Sequence, residues 1–162
     1  MDDVSPLPYV EVGNLLGMLV YLEDQDGRTD VYVIAQDMDL EVDELLPLIK
    51  VAEVLGFVEI KEGDLIISLT GKKLVYGDEN ERKIIFKESL KKMPVFQKLI
   101  KILQSTPEKS ISKNDLLQVL SEEMSEDEAQ ESLRGIIELG RYAELVGYNP
   151  EDKEIYLDEL EE

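Results

Sequence analysis

The chain contains neither histidine nor cysteine. Its chemistry is therefore confined to carboxylates, lysine, arginine, tyrosine and the hydroxyls of serine and threonine. Zinc-finger sites, thiol nucleophiles, Ser-His-Asp triads and histidine-based proton transfer are all excluded. Gly71-Lys72 has the look of the end of a phosphate-binding loop, but that loop needs glycine where Ile66 stands and Ser or Thr where Lys73 stands. Asp24, Asp26 and Gly27 suggest a calcium loop. Setting Gly27 at its sixth position puts Leu22 first and Val33 twelfth, and neither can ligate. Asp37, Asp39 and Glu41 lack both the glycine and the final glutamate of such a loop. No catalytic, cofactor-binding or metal-binding residue is assigned, and the expected role is not enzymatic.

Two stretches remain as candidates for contact with a partner. The net charge is -20 on 162 residues, yet from Lys72 to Lys101 nine Lys or Arg stand against four Asp or Glu. Within that segment Arg82, Lys83, Lys87, Lys91 and Lys92 could receive an acidic partner or a phosphate. They could equally neutralise the acidic flanks, within one chain or across a homo-oligomer, and this structural reading is preferred because so much negative charge lies nearby. The second stretch is Gly140-Arg141-Tyr142-Ala143-Glu144-Leu145. Arg141 and Tyr142 at a helix-to-strand junction are residue types that dominate interface energetics. The alternative there is an internal Arg–carboxylate pair beside a packed ring.

The elements that must hold these residues are legible from periodicity. Pro6 and Pro8 make residues 1–10 an extended lead-in. Val12, Leu15, Leu16, Leu19 and Leu22 form one helical stripe, stopped by Asp24-Gln25-Asp26-Gly27. Asp30 caps a short second helix containing Val31, Ile34 and Ala35. A third helix carries Val42, Leu45, Leu46, Ile49 and Ala52, with Asp43 as its expected N-cap, Pro47 near the end of its first turn and Leu55-Gly56 at its end. The β-like runs 57–60 and 65–68 then form a hairpin around Lys61-Glu62-Gly63-Asp64. Three helices and a hairpin are the order of a winged helix-turn-helix, in which the hairpin covers the open apolar face of the helices.

Two helices follow, one from Thr70 to Gly77 and one from Asp78 to about Lys92. The order then repeats: a helix with Val95, Phe96, Leu99, Ile100 and Leu103; a short helix capped by Ser112; and a helix opened by the Ser125/Glu128 capping box and ending at Leu139-Gly140. A hairpin runs from Ala143 to Leu157, and the acidic residues Asp158 to Glu162 are expected to fray. Leu139-Gly140 is taken as the counterpart of Leu55-Gly56. The expected architecture is α+β and mainly helical: a first winged-helix unit over 1–69, a basic helical connector over 70–92 and a second winged-helix unit over 93–162.

Charge decides what such units could meet. The helix that would read DNA carries Glu41, Asp43, Glu44 and Glu53 against Lys50 in the first unit. In the second it carries Glu126, Asp127, Glu128, Glu131 and Glu138 against Arg134. Both would meet phosphates with like charge, so nucleic acid is a disfavoured partner and protein the favoured one. No apolar run is long enough to span a bilayer, and the Met-Asp-Asp start lacks the regions of a signal peptide. A cytoplasmic location without membrane insertion is expected.

Several residue strings in order complete the reading: Pro6-Leu7-Pro8, Val12-Gly13, Gly27-Arg28-Thr29-Asp30, Leu45-Leu46-Pro47, Ala52-Glu53-Val54-Leu55-Gly56-Phe57, Gly63-Asp64, Glu81-Arg82-Lys83 and Gly140-Arg141-Tyr142-Ala143-Glu144-Leu145. In these the chain resembles the AAA-associated domain at the C-terminus of ATPase subunits of nitrate, sulfonate and taurine-type ABC transporters. The resemblance implies a non-catalytic accessory module that binds protein, such as a transporter ATPase subunit, in trans, and brings no catalytic residues or cofactor. No phosphate-binding loop is present, so ATP chemistry would belong to another chain. The alternative is a winged-helix transcriptional regulator that meets DNA through the basic connector. A third possibility, an enzyme using carboxylates alone, requires a cleft with two converging acids.

Overall fold

The computed structural model describes residues 4–158. Among them are eight helices and six strands, an α+β and mainly helical arrangement with two small three-stranded sheets. The chain divides into two compact units. One is Val10–Ile85; the other joins residues 4–9 to residues 86–158.

The first unit begins with α1 (Val12–Asp24), β1 (Arg28–Asp30), α2 (Val31–Asp37), α3 (Val42–Val54), β2 (Val58–Lys61) and β3 (Asp64–Ile67). Its sheet has the order β1-β3-β2, all antiparallel. The three-residue strand β1 is a feature that periodicity does not reveal. It is too short to alternate, and its last residue, Asp30, also caps α2 by accepting the Tyr32 N–H at 2.8 Å. The hairpin turn is the two residues Glu62-Gly63, both at positive φ (54° and 85°), the geometry that matches the twist of a two-residue hairpin. Leu15, Leu19, Leu22, Ile34, Leu45 and Phe57 are completely buried and form the heart of this core.

Two expectations for α3 are corrected. The N-cap is Glu41, in extended conformation, whose backbone N–H donates to Glu44 Oε1 at 2.9 Å; Asp43 lies inside the first turn. Pro47 is consequently deeper in the helix than expected and forfeits one intrahelical bond. The buried residues are Leu45, Leu48, Ile49, Val51 and Ala52, whereas Leu46 points outward.

Next come α4 (Leu69–Tyr76) and α5 (Glu79–Leu90). Ser68 caps α4 by accepting the Gly71 N–H, and its hydroxyl donates to the Gly56 carbonyl at 2.7 Å. Gly71 sits hard against the residue that leads into β2: a Cβ there would lie 2.3 Å from the Phe57 carbonyl oxygen. The boundary between the two units falls within α5, after Ile85.

The second unit continues with α6 (Pro94–Ser105), β4 (Ser110–Ser112), α7 (Lys113–Ser121), α8 (Glu126–Tyr142), β5 (Val146–Asn149) and β6 (Glu154–Leu157). Its sheet order β4-β6-β5 repeats the topology of the first. Ser112 ends β4 and caps α7, as Asp30 ends β1 and caps α2. The Ser125/Glu128 capping box opens α8.

The expected end of α8 is wrong by about one turn. The helix runs through Gly140 to Tyr142, and Gly140 is buried in it with Val146 pressed against its α-carbon. The left-handed residue that stops the helix is Glu144, at φ 58°. The backbone bonds Glu144 N–H to Arg141 and Leu145 N–H to Gly140 copy those of Gly56 to Glu53 and Phe57 to Ala52. The counterpart of Leu55-Gly56 is thus Ala143-Glu144.

The lead-in is extended, as its prolines require, and packs on α8. Leu7 N–H donates to the buried Ser132 Oγ at 2.8 Å, and Tyr9 N–H to Glu131 Oε2 at 3.0 Å. Leu7 is 2% exposed and lies over Gly135, whose missing side chain admits it. At the other end, Asp158 N–H donates to the Leu145 carbonyl; residues 159–162, which hold most of the expected frayed tail, lie outside the described residues.

Candidate functional site

The best-formed polar cleft lies in the second unit and encloses about 570 Å³. One wall is α8, which presents Arg134, Ile137, Glu138 and Arg141 at spacings of three, four and seven residues, and so on one face. Tyr9 of the lead-in, Lys113 at the start of α7, Tyr142 and Tyr148 of β5 complete it. The Arg134 guanidinium stacks 4.1 Å from the centre of the Tyr9 ring, and the Lys113 ammonium stands 5.9 Å from the centre of Tyr148. The Tyr142 ring meets Phe86 edge-on, with centres 5.0 Å apart, which fixes the back of the cleft. Three cations thus face one lining acid, Glu138, in a protein of net charge -20.

Of the residues singled out by sequence, Arg141 and Tyr142 are the two found here, on the last turn of α8 rather than in a junction beyond it. Arg141 is exposed, and Tyr142 is half-buried. The other five lie elsewhere. Arg82 is an internal fastener: its Nε donates to the Leu74 carbonyl at 2.8 Å and its Nη2 to Val75 at 3.4 Å, so it satisfies carbonyls at the end of α4. Its Nη1 also lies 3.9 Å from Glu79. Lys83 and Lys87 are half-buried on α5, and Lys91 and Lys92 are exposed where α5 gives way to α6. None of the five lines this cleft.

Sequence reasoning missed Tyr9, Lys113 and Tyr148 as neighbours of Arg141, since no local pattern joins them. Arg134 was the available signal. Extending α8 past Gly140 would have put Arg134 and Arg141 seven residues apart on one helical face.

A second, mainly apolar cleft of about 390 Å³ occurs in the first unit between α4 and α5, lined by Lys73, Tyr76, Gly77, Glu81, Ile84 and Ile85. The Tyr76 hydroxyl donates to Glu23 Oε2 at 2.8 Å; that hydrogen bond to a carboxylate raises the tyrosine pKa above its ordinary value. Tyr21 makes the same kind of bond to Asp37 at 2.5 Å, which, with partial desolvation, pushes its pKa up to about 12. In the second unit the Lys98 ammonium bonds Glu123 and lowers the pKa of that carboxyl.

Among the described residues no group of three or more acids could hold a metal ion, and no helix is long and apolar enough to cross a membrane. The geometry is that of a mainly helical α+β chain with two small three-stranded sheets. A family model described as the C-terminal AAA-associated domain matches residues 32–149, from α2 to the end of β5. The chain belongs to that family, and is thereby an accessory domain associated with AAA or ABC ATPases. Comparisons with curated proteins and with solved structures return no match.

Proposed function

We propose that this chain is a non-catalytic, cytoplasmic accessory module that binds an ATPase subunit of an ABC transporter in trans. The observation that carries the reading is the family match over residues 32–149, which takes in parts of both compact units. Each unit is read as a winged helix. The order helix, short strand, two helices, hairpin, with the short strand beside the last strand, supports this over α1–β3 and again over α6–β6. α4 and α5 supply the helical connector between them. Winged helices serve as docking scaffolds as readily as DNA readers, because function resides in the side chains displayed.

Placement of the basic residues favours protein over DNA as partner. Arg82 is engaged with the end of α4, which depletes the basic connector of a phosphate contact. Lys91, Lys92 and Arg141 are the exposed members of the candidate set and are read as partner contacts. The test is affinity capture from native lysate with the full chain as bait. Recovery of a transporter ATPase is expected. Repeated recovery of no ATPase and no membrane-transport component overturns the proposal.

A further inference from the structure

We infer that the cleft of Tyr9, Lys113, Arg134, Arg141, Tyr142 and Tyr148 binds an extended acidic segment of a protein partner, through two carboxylates about three residues apart. The inference rests on the reading of the chain as a protein-binding module and names the chemistry of what it binds.

Charge comes first. Acids outnumber bases by 37 to 17 in the sequence, so a basic side chain has abundant opportunity to find a carboxylate. Yet among the described residues Lys113, Arg134 and Arg141 make no ion pair, and all three line one cleft. A protein with this surplus of negative charge that gathers three cations around one acid, Glu138, presents a locally positive cleft on a mostly negative chain.

Spacing comes second. Arg134 and Arg141 are seven residues apart on α8, which separates their attachment points by about 10 Å along the helix axis. Arg134 is held in place by its stack on Tyr9. One phosphate is too small to engage both ends of that span. Two carboxylates separated by two residues of a chain in extended polyproline-II conformation, which has three residues per turn, project from one side about 9 Å apart and match it. The rings of Tyr9 and Tyr148 and the side chain of Ile137 give the intervening residues an apolar wall. Lys113, across the cleft from α8, adds a third positive contact. Negative charge elsewhere on the protein repels long acidic stretches, so the fitting ligand carries few acids and carries them at the right spacing.

Fluorescence anisotropy with the full chain tests this. The probe is a short labelled peptide bearing two glutamates separated by two alanines, with a glutamine version and a version with adjacent glutamates as controls. The expected result is binding of the first peptide that weakens with added salt and weakens about tenfold in Arg134→Gln or in Arg141→Gln. Lys113→Gln, on a different helix, is expected to weaken it less. Equal binding of the glutamate and glutamine peptides, or undiminished binding by both arginine variants, overturns the proposal. So does binding of ATP in the cleft without binding of the peptide, which would make it a small-anion site. If no peptide binds while native capture still returns an ATPase, the acidic-segment proposal falls and the accessory-module reading stands.

Discussion

The two units share an order of elements and a sheet topology but differ in what they show to solvent. Large apolar side chains that are exposed number nine in the first unit, among them Tyr32, Leu69, Tyr76 and Ile84; in the second, Tyr156 is the single case among the described residues. The second unit instead gathers Lys113, Arg134 and Arg141 around tyrosine rings. Total charge does not separate them. Residues 10–85 hold seven Lys or Arg against seventeen Asp or Glu, and the rest of the sequence holds ten against twenty, a balance of -10 in each case. Architecture is duplicated while surface is not, and placement of side chains, rather than composition, distinguishes the copies.

The largest expected break in the comparison comes from glycines. In the first unit a Cβ at Gly71 meets the Phe57 backbone oxygen at 2.3 Å, and that oxygen, which accepts the Ser68 N–H just before β2, cannot step aside without breaking that bond. Gly71→Ala is expected to cost about 3 kcal/mol, at the upper end for overpacking. The second unit has a tighter number, 2.2 Å from Gly147 to the Tyr156 ring, but that ring is partly exposed and can rotate away. Gly147→Ala should therefore cost less than about 1 kcal/mol. Urea unfolding followed by hydrogen exchange separates the two; comparable losses would show that the nature of the obstructing atom does not matter.

The lead-in is the next largest difference, because only the second unit recruits a strap distant in sequence. Ser132→Ala leaves the Leu7 N–H without its acceptor and is expected to cost about 1–2 kcal/mol. Faster exchange at Leu7, with amides of α3 unchanged, would be its signature. A smaller effect sharpens the equivalence of the two helix ends. Gly56→Ala is expected to destabilise by about 1 kcal/mol at its φ of 83°, whereas Glu144→Gly should stabilise by roughly a few tenths, offset by the contacts Glu144 makes. Measured shifts of the same sign would contradict the assigned correspondence.

The smallest expected effect concerns pH. Tyr21 has its pKa raised to about 12 by Asp37 in the folded state, against an ordinary value of 10.0. The folded form holds the proton more tightly, so this contribution to stability is whole below pH 10 and is lost as pH rises toward 12. Ultraviolet titration of the tyrosinates should show Tyr21 and Tyr76 ionising late, and Asp37→Asn should return Tyr21 to the earlier group.

Periodicity made the helices and both hairpins legible, because 3.6-residue and two-residue repeats appear directly in strings such as Leu15, Leu19, Leu22 and in runs such as Leu65-Ile66-Ile67. β1 and β4 were hidden because three residues are too few to establish alternation. The end of α8 was misread because Gly140 looks like a stop signal, whereas its lack of a side chain serves packing against Val146. The left-handed position was filled by Glu144, a residue type with no preference for it. Two of the eight residues lining the cleft, Arg141 and Tyr142, are singled out by the sequence. Tyr9 and Lys113 are not, because only tertiary folding brings them to α8.

The strap has a consequence for how the protein is made. Leu7 and its acceptor Ser132 are separated by 125 positions, and a ribosome adding about 5–20 residues per second needs roughly 6–25 s to cover that distance. For that interval Val4 and Leu7 have emerged and their receptor has not. The lead-in is made well before the helix that receives it, and the nascent chain holds its apolar side chains in view of chaperones until α8 leaves the exit tunnel.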